Sequence, residues 1–316
     1  LPVWRDSDRD WETEFEKYVS ENRTLAYMML KNARIYKDEI ILSQKNYKGE
    51  WESLTWAEYA DRFTALAKAL IDIGIDVGDK CSIFSRNCSE WAISDMGILA
   101  ARAVSVPIYA TNSKEEAEYI VNDAEVKVVF VGDQEQYDRI AQIIPDNQYL
   151  KLIVAMKDNI NIAGDKSVYL TQLIEKGRQL ANDKDFENRI NNANPGDIVT
   201  IIYTSGTTGN PKGAVHTHRS FLCGIFPAWR FPEAGPHYTS LSILPLSHIF
   251  ERLWSYGCMC NGVKIGYCPD PANFLEYMNH FRPHFMTSVP RMWDKVYGTI
   301  HANMKNAGGM KYKMFE

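Results

Sequence analysis

The chain has 316 residues, 45% hydrophobic and 24% charged, the make-up of a globular protein with a sizeable core and room for more than one lobe, which excludes disorder as its main state. Thirty-five basic residues against 40 acidic ones leave a net charge of −5 without a basic tract, which disfavours a nucleic-acid partner. No uncharged apolar run reaches the ~18 residues of a membrane span, and the best stretches are broken by Arg102 or Arg230.

The six cysteines, Cys81, Cys88, Cys223, Cys258, Cys260 and Cys268, form no Cys-x-x-Cys pair and have no companion histidine spacing, so zinc is not indicated. They read as reduced, buried thiols and a cytosolic address. The chain opens at Leu1 without a basic-then-apolar signal segment, runs out of a helical stretch into Glu316, and reads as a fragment of a longer polypeptide.

After a polar opening, Ile40 to Ser43 and Trp51 to Leu54 flank Lys48-Gly49 and predict a hairpin. Thr55-Trp-Ala-Glu58 is a capping box, followed by Tyr59, Phe63, Leu66, Ala67 and Leu70 on one helical face. Strands are expected near Lys80 to Phe84, Val104 to Ile108, Val126 to Val131 and Leu152 to Ala155. Helices fall between them at Glu90 to Ala103, Lys114 to Asp123 (capped by Ser113-x-x-Glu116) and Gln134 to Ile143. The polar segment Asn182 to Asp197, with Phe186 and Ile190 as its large apolar anchors, reads as an exposed connection between a first lobe, 1–196, and a second lobe, 197–316. Beyond it, strands are expected near Thr239 to Leu244, Val263 to Gly266 and Phe285 to Ser288, and helices near Ser220 to Trp229, Phe250 to Cys260 and Asn273 to His280. Short apolar strands alternating with amphipathic helices predict an α/β fold with mostly parallel sheets covered on both faces.

The densest chemical signal is Tyr203-Thr-Ser-Gly-Thr-Thr-Gly-Asn-Pro-Lys-Gly213, which follows the apolar run Ile198 to Ile202. Gly206 and Gly209 let backbone N–H groups approach an anion, Thr204, Ser205, Thr207 and Thr208 add hydroxyl donors, and Lys212 adds a mobile positive charge. It is a polyphosphate loop by composition but neither Gly-x-x-x-x-Gly-Lys-[Ser/Thr] nor Gly-x-Gly-x-x-Gly. A ligand-free glycine-rich turn between two strands is the disfavoured alternative. In Leu244-Pro-Leu-Ser-His-Ile-Phe-Glu-Arg252, His248 either donates to a phosphate or carboxylate or caps a helix, and spacing leaves both open. Adjacent Glu251 and Arg252 read as a local surface pair, Arg291 as a solvated helix arginine, and His216 and His218 as structural residues on one strand face.

Thr204 to Gly213, Leu244 to Arg252 and Ser288 to Tyr297, in this order and spacing, resemble the AMP-forming adenylate enzymes, which include acyl-CoA synthetases, luciferases and adenylation domains. Trp51 to Tyr59, Gly78 to Lys80, Asn87 to Trp91 and Val106 to Thr111 extend the resemblance over almost the whole chain, and the second and third motifs look most like the long-chain fatty acid branch. The resemblance implies a layered αβαβα large domain, here truncated. It implies ATP, Mg2+ and coenzyme A as cofactor or co-substrates, a fatty acid substrate, and formation of an acyl-adenylate whose acyl group passes to the CoA thiol. By the same analogy Thr204, Ser205, Gly206, Thr207, Thr208, Gly209 and Lys212 hold the phosphates, Thr204 helps seat the metal, and His248 lies between carboxylate and α-phosphate as the catalytic residue.

The family's later motifs, including the magnesium-binding glutamate, the ribose-binding aspartate and the small C-terminal domain with its lysine, would lie beyond Glu316, so the fragment is expected not to complete adenylation alone. Where some long-chain enzymes carry a gating tryptophan four residues after the histidine, this chain has Arg252, with Trp254 two residues on; Trp254 is read as a core aromatic, with a tunnel role as the alternative. A catalytically silent nucleotide- or acyl-binding module, an aryl-CoA ligase and an adenylation domain are the competing functions. Peripheral membrane contact follows only from the chemistry of a long acyl substrate, because no basic amphipathic helix supports it. Oligomeric state is not legible.

Overall fold

The computed structural model describes residues 10–204, 210–229 and 234–307. In chain order the elements are α1 (Trp11–Asn22), α2 (Leu25–Ile35), β1 (Ile40–Lys45), β2 (Trp51–Thr55), α3 (Trp56–Asp72), β3 (Lys80–Phe84), α4 (Ser89–Ala100), β4 (Val104–Ile108), α5 (Lys114–Asp123), β5 (Val126–Val131), α6 (Gln134–Ala141) and β6 (Leu152–Ala155). They continue with β7 (Ser167–Tyr169), α7 (Leu170–Gln179), α8 (Asp183–Asn192), β8 (Ile198–Thr204), β9 (Lys212–Thr217), α9 (His218–Trp229), β10 (Thr239–Ser242), α10 (Ile249–Cys260), β11 (Lys264–Tyr267), α11 (Phe274–Phe281) and α12 (Pro290–Ala307).

The strands form a seven-stranded sheet, ordered β7-β6-β5-β3-β4-β8-β9, and a four-stranded sheet, ordered β10-β11-β1-β2. The large sheet is parallel except for the β8–β9 hairpin, and the small one is parallel except for the β1–β2 hairpin. Three apolar clusters define the layering. Between the sheets, α2, α3, α4, α9 and α10 pack against inward residues of both, such as Leu42 and Ile265 on one side and Ile83 and Phe130 on the other. α5 and α6 cover the outer face of the large sheet, where Val106, Val129 and Val131 meet Ile120 and Ile140. α11 covers the outer face of the small sheet, with Met292 and Val296 of α12 against the same cluster. This is the expected αβαβα order of layers, and alternate side chains of each strand serve the layers on its two faces.

Local chemistry explains most boundaries. Both expected capping boxes are present: Thr55 accepts from the N–H of Glu58 while that carboxylate accepts from Thr55 N at 2.8 Å, and Ser113 and Glu116 do the same for α5. The predicted face of α3 is fully buried. α4 is buried all round because it runs between the sheets, so it needs no apolar stripe.

Four expectations change. Asn182 to Asp197 contains α8, because Phe186 and Ile190, four residues apart, give a short helix one buried face. The segment does not separate the sheets, since strands from both sides of it enter each one. Phe285 to Ser288 forms only a bridge between Ser240 and Phe285; Pro283 and Pro290 bracket the run and shorten its pairing. The polar opening contains two helices, each announced by an N-cap, Asp10 or Thr24, that bonds the N–H three residues on. Among the described residues no helix is long and apolar enough to cross a membrane.

α3 and α7 approach so closely that a Cβ on Gly177 would lie 1.8 Å from the Ala65 carbonyl oxygen, a backbone atom that cannot swing away. Gly177→Ala is therefore expected to destabilise the fold by about 1–3 kcal/mol, the range for overpacking a dense interior. Urea unfolding would show it as a lowered midpoint, and an unchanged midpoint would contradict the close approach.

Candidate active site

β8 and β9 pair antiparallel with Thr204 opposite Lys212, so this pair closes the neck of a hairpin whose loop is the glycine- and hydroxyl-rich segment. Ser205, Gly206, Thr207, Thr208 and Gly209 lie outside the described residues. Thr204 and Lys212 are both exposed. A second strand follows the loop, and α9 starts only at His218, so the topology differs from the strand–loop–helix order of a P-loop. Ser105 pairs with Thr200 in the parallel β4–β8 ladder, so Tyr203 ends level with Ile108, which pairs with Phe84 of β3. β8 thus ends at the carboxyl edge of the parallel sheet, where open α/β folds bind ligands.

The same edge carries the histidine. Asn87, just past β3, donates to the Leu244 carbonyl at 2.7 Å and to Ser242 Oγ at 3.1 Å, while its Oδ1 accepts from Leu246 N at 2.9 Å. These three bonds fix the turn from β10 into α10 against the large sheet. His248 is the N-cap of α10, with Nδ1 accepting from Phe250 N at 3.2 Å. Of the two readings of the sequence, the cap is the one observed; it occupies Nδ1 and leaves Nε2 of the exposed ring outside that bond.

Glu251 and Arg252 are neither superficial nor paired with each other; both are fully buried. Adjacent helical residues diverge by about 100°, so they face different elements. Arg252 grips Asp95 of α4 bidentately, Nε to Oδ2 at 3.0 Å and Nη2 to Oδ1 at 2.6 Å, and donates from Nη1 to Thr200 Oγ1 at 2.7 Å. The Tyr256 hydroxyl adds a further donor to Asp95, and the guanidinium lies 5.5 Å from the Trp91 ring centroid and 5.6 Å from that of Phe221. Glu251 accepts from Thr287 Oγ1 at 2.7 Å. Burial pushes its carboxyl up to about 7, against the opposing pull of hydrogen bonds from Thr287, Ser242, Leu244 and Ser255.

The two other histidines do not share a strand face. His216 is on β9, while His218 opens α9, is buried, and accepts from Leu25 N at 3.3 Å. Burial lowers His218 to about 4, which keeps it neutral and structural. Among the described residues no three His, Cys, Asp or Glu side chains are grouped to hold a metal ion. Arg291 is exposed at the start of α12, as expected.

One feature escaped sequence reasoning almost entirely. Along α10, Phe250, Leu253, Trp254, Gly257, Cys258 and Asn261 line an apolar cavity of about 560 Å³, closed on the other side by Gly224, Tyr238, Val263 and Phe285. The spacing i, i+3, i+4, i+7, i+8, i+11 is one helical face and was the available signal. Trp254 is part of this wall; it is half-buried, with Nε1 donating to Ser240 Oγ at 3.0 Å.

The layered α/β architecture, with the β8–β9 hairpin neck and a histidine-capped helix on one sheet edge, places the candidate site where open α/β folds bind ligands. The chain belongs to the AMP-binding enzyme family, whose model matches residues 30–315. It is 33% identical over 297 residues to the long-chain-fatty-acid–CoA ligase FadD15 of Mycobacterium bovis, covering 92% of this chain and 47% of that protein. It is 30% identical over 275 residues to the peroxisomal long chain acyl-CoA synthetase 6 of Arabidopsis thaliana, covering 84% and 38% respectively. The chain thus spans less than half the length of these curated relatives. Among solved structures, the A domain of carboxylic acid reductase from Segniliparus rugosus, in complex with AMP and a co-purified carboxylic acid, shares the fold with a TM-score of 0.78 at 17% identity, over 96% of this chain and 55% of that one.

Two predictions follow from the buried charges. Arg252→Met leaves the Asp95 carboxylate buried without its partner and should cost about 3–5 kcal/mol; adding Asp95→Asn should recover part of that in urea unfolding, and equal instability of single and double variants would refute the pairing. For Glu251, the folded carboxyl keeps its proton up to about pH 7 whereas the ordinary value is 4.5, so the native state binds the extra proton between these values. Its contribution to stability is therefore greatest below that window and falls as pH rises through it. Glu251→Gln should flatten this slope and gain about 3 kcal/mol relative to the parent between pH 4 and pH 8; identical pH slopes would overturn the assignment.

Proposed function

We propose that this chain forms the phosphate-gripping and acyl-binding part of an ATP-dependent long-chain fatty acid:CoA ligase. The observation that carries this reading is the apolar cavity beginning at Phe250, two residues beyond His248, and running along α10 to Asn261. Eleven helical steps span about 16 Å. An extended chain advances about 1.2 Å per covalent bond, so this wall accommodates roughly a dozen carbons. An acid seated there would direct its carboxylate toward the histidine and the nucleotide.

In the first reaction a carboxylate oxygen attacks the α-phosphorus of ATP, forming the acyl-adenylate and releasing pyrophosphate. In the second, the thiol of coenzyme A attacks the acyl carbon, its proton is released, and AMP leaves. Two anions meet in the first step, so the site's task is to neutralise charge and align the partners. In this reading Ser205, Gly206, Thr207, Thr208, Gly209 and Lys212 hold the β- and γ-phosphates, and His248 donates from Nε2 between carboxylate and α-phosphate. Thr204 offers one hydroxyl to magnesium, too little to hold that ion alone; its preference for several waters and phosphate oxygens fits a metal that arrives with the nucleotide. The enzyme is read as cytoplasmic, drawing its substrate from a bilayer surface. Set against relatives about twice as long, the 316-residue chain alone is expected not to complete adenylation.

The test is carboxylate-dependent ATP–pyrophosphate exchange across a panel of acids with the full-length polypeptide. Unbranched acids of about a dozen carbons or more should outperform benzoate and acetate. Activity confined to short or aromatic acids would reject the long-chain reading in favour of an aryl-CoA ligase, and exchange by the 316-residue chain itself would reject its dependence on further sequence.

A further inference from the structure

The phosphate loop needs its two stems held at a fixed separation, and the last turn of α5 lies against both of them. α5 approaches them from the outer face of the large sheet. Tyr203, immediately before Thr204, donates from its hydroxyl to Asp123 Oδ2 at 2.5 Å. Tyr119, one turn earlier on α5, donates to the carbonyl of Pro211, immediately before Lys212, at 3.2 Å. The two tyrosine rings meet edge-on, with centroids 6.3 Å apart at 90°. Gly213 makes the arrangement sterically possible: a Cβ there would come within 2.6 Å of Ile201 Cγ2 and 3.3 Å of Tyr203 Cζ. Pro211 has no N–H and a fixed φ, so its carbonyl is the backbone group available for such a tether.

We propose that Tyr119 and Asp123 are positioning residues that clamp both stems of the anion loop. The inference rests on the reading of that loop as a phosphate grip. Residues at i and i+4 share a helix face, so one rigid turn of α5 sets the spacing of Tyr203 and Pro211 and thereby the width of the Thr204–Lys212 neck. α5 is itself held by its capping box and by Ala117, Ile120 and Val121 in the core. Stems fixed before an anion arrives need not be ordered at the moment of binding, which spares affinity that cost. Neither residue need touch the ligand.

The test uses the 316-residue chain and two probes: inorganic pyrophosphate with magnesium for the loop, and a fluorescent long-chain carboxylate for the α10 cavity. Tyr119→Phe and Tyr203→Phe keep the rings and remove one tether each. Each should raise the pyrophosphate dissociation constant about three- to tenfold, the factor set by one net hydrogen bond, and leave carboxylate binding unchanged. Asp123→Asn keeps an acceptor for Tyr203 and should bind pyrophosphate like the parent, whereas Asp123→Ala should behave like Tyr203→Phe. Unchanged pyrophosphate binding in the phenylalanine variants, or an equal loss for both probes, would overturn the clamp while the loop reading stands. Absence of pyrophosphate binding by the unsubstituted chain would instead overturn the loop reading, and the clamp with it.

Discussion

The buried contact between Asp95 and Arg252 is the constraint around which the rest is arranged. Removing two charges from water costs several kcal/mol per ion, and a low-dielectric interior returns this only when the geometry is good and the remaining donors and acceptors are used. Here they are used: two bonds join the pair, Thr200 takes a further guanidinium proton, Tyr256 serves the carboxylate, and Trp91 and Phe221 flank the cation. The six groups come from four elements. α4 supplies the carboxylate, α10 the cation, β8 the hydroxyl and α9 one of the rings. The strand that carries the loop and the helix that carries His248 are therefore registered to each other through the interior as well as along the surface.

α10 shows how one helix serves several purposes by rotation alone. Its N-cap is His248, one face lines the cavity, a second presents Arg252 and Tyr256 to Asp95, and a third carries Glu251, which accepts from both Ser255 and Thr287. A substitution on any face is felt by the others, because the helix can shift only as a rigid rod. The turn pinned by Asn87 fixes its entry, and Asn32 of α2 donates to the Met259 and Cys260 carbonyls at its exit.

Much of the scaffold was legible in the sequence because local and global preferences agree there. β3, β4, β5 and β6 fall where short apolar runs predict them, and Thr55, Glu58, Ser113 and Glu116 make the expected reciprocal caps. The failures have physical causes. Glu251 and Arg252 invite pairing by adjacency, yet helical geometry sends them to partners 36 and 157 positions away in the chain. The cavity wall is ordinary amphipathic periodicity until Gly224, Tyr238 and Phe285 leave space opposite it, which no local pattern encodes. For the candidate site, sequence singled out Thr204, Lys212 and His248 and left open whether the histidine caps a helix; the cap depends on where α10 starts, which the turn held by Asn87 decides.

The interleaving of the two sheets also sets a schedule for synthesis. β1 pairs with β2 almost at once, but its other neighbour is β11, where Leu42 meets Ile265 roughly two hundred residues later. At translation rates of about 5–20 residues per second, the first hairpin waits on the order of ten seconds or more for that strand. During this interval Ile41 and Leu42 have no completed sheet around them, and α4 has only one of its two covering sheets. The nascent chain thus passes through a stage with an open strand edge and an uncovered apolar helix, features that expose a folding chain to aggregation.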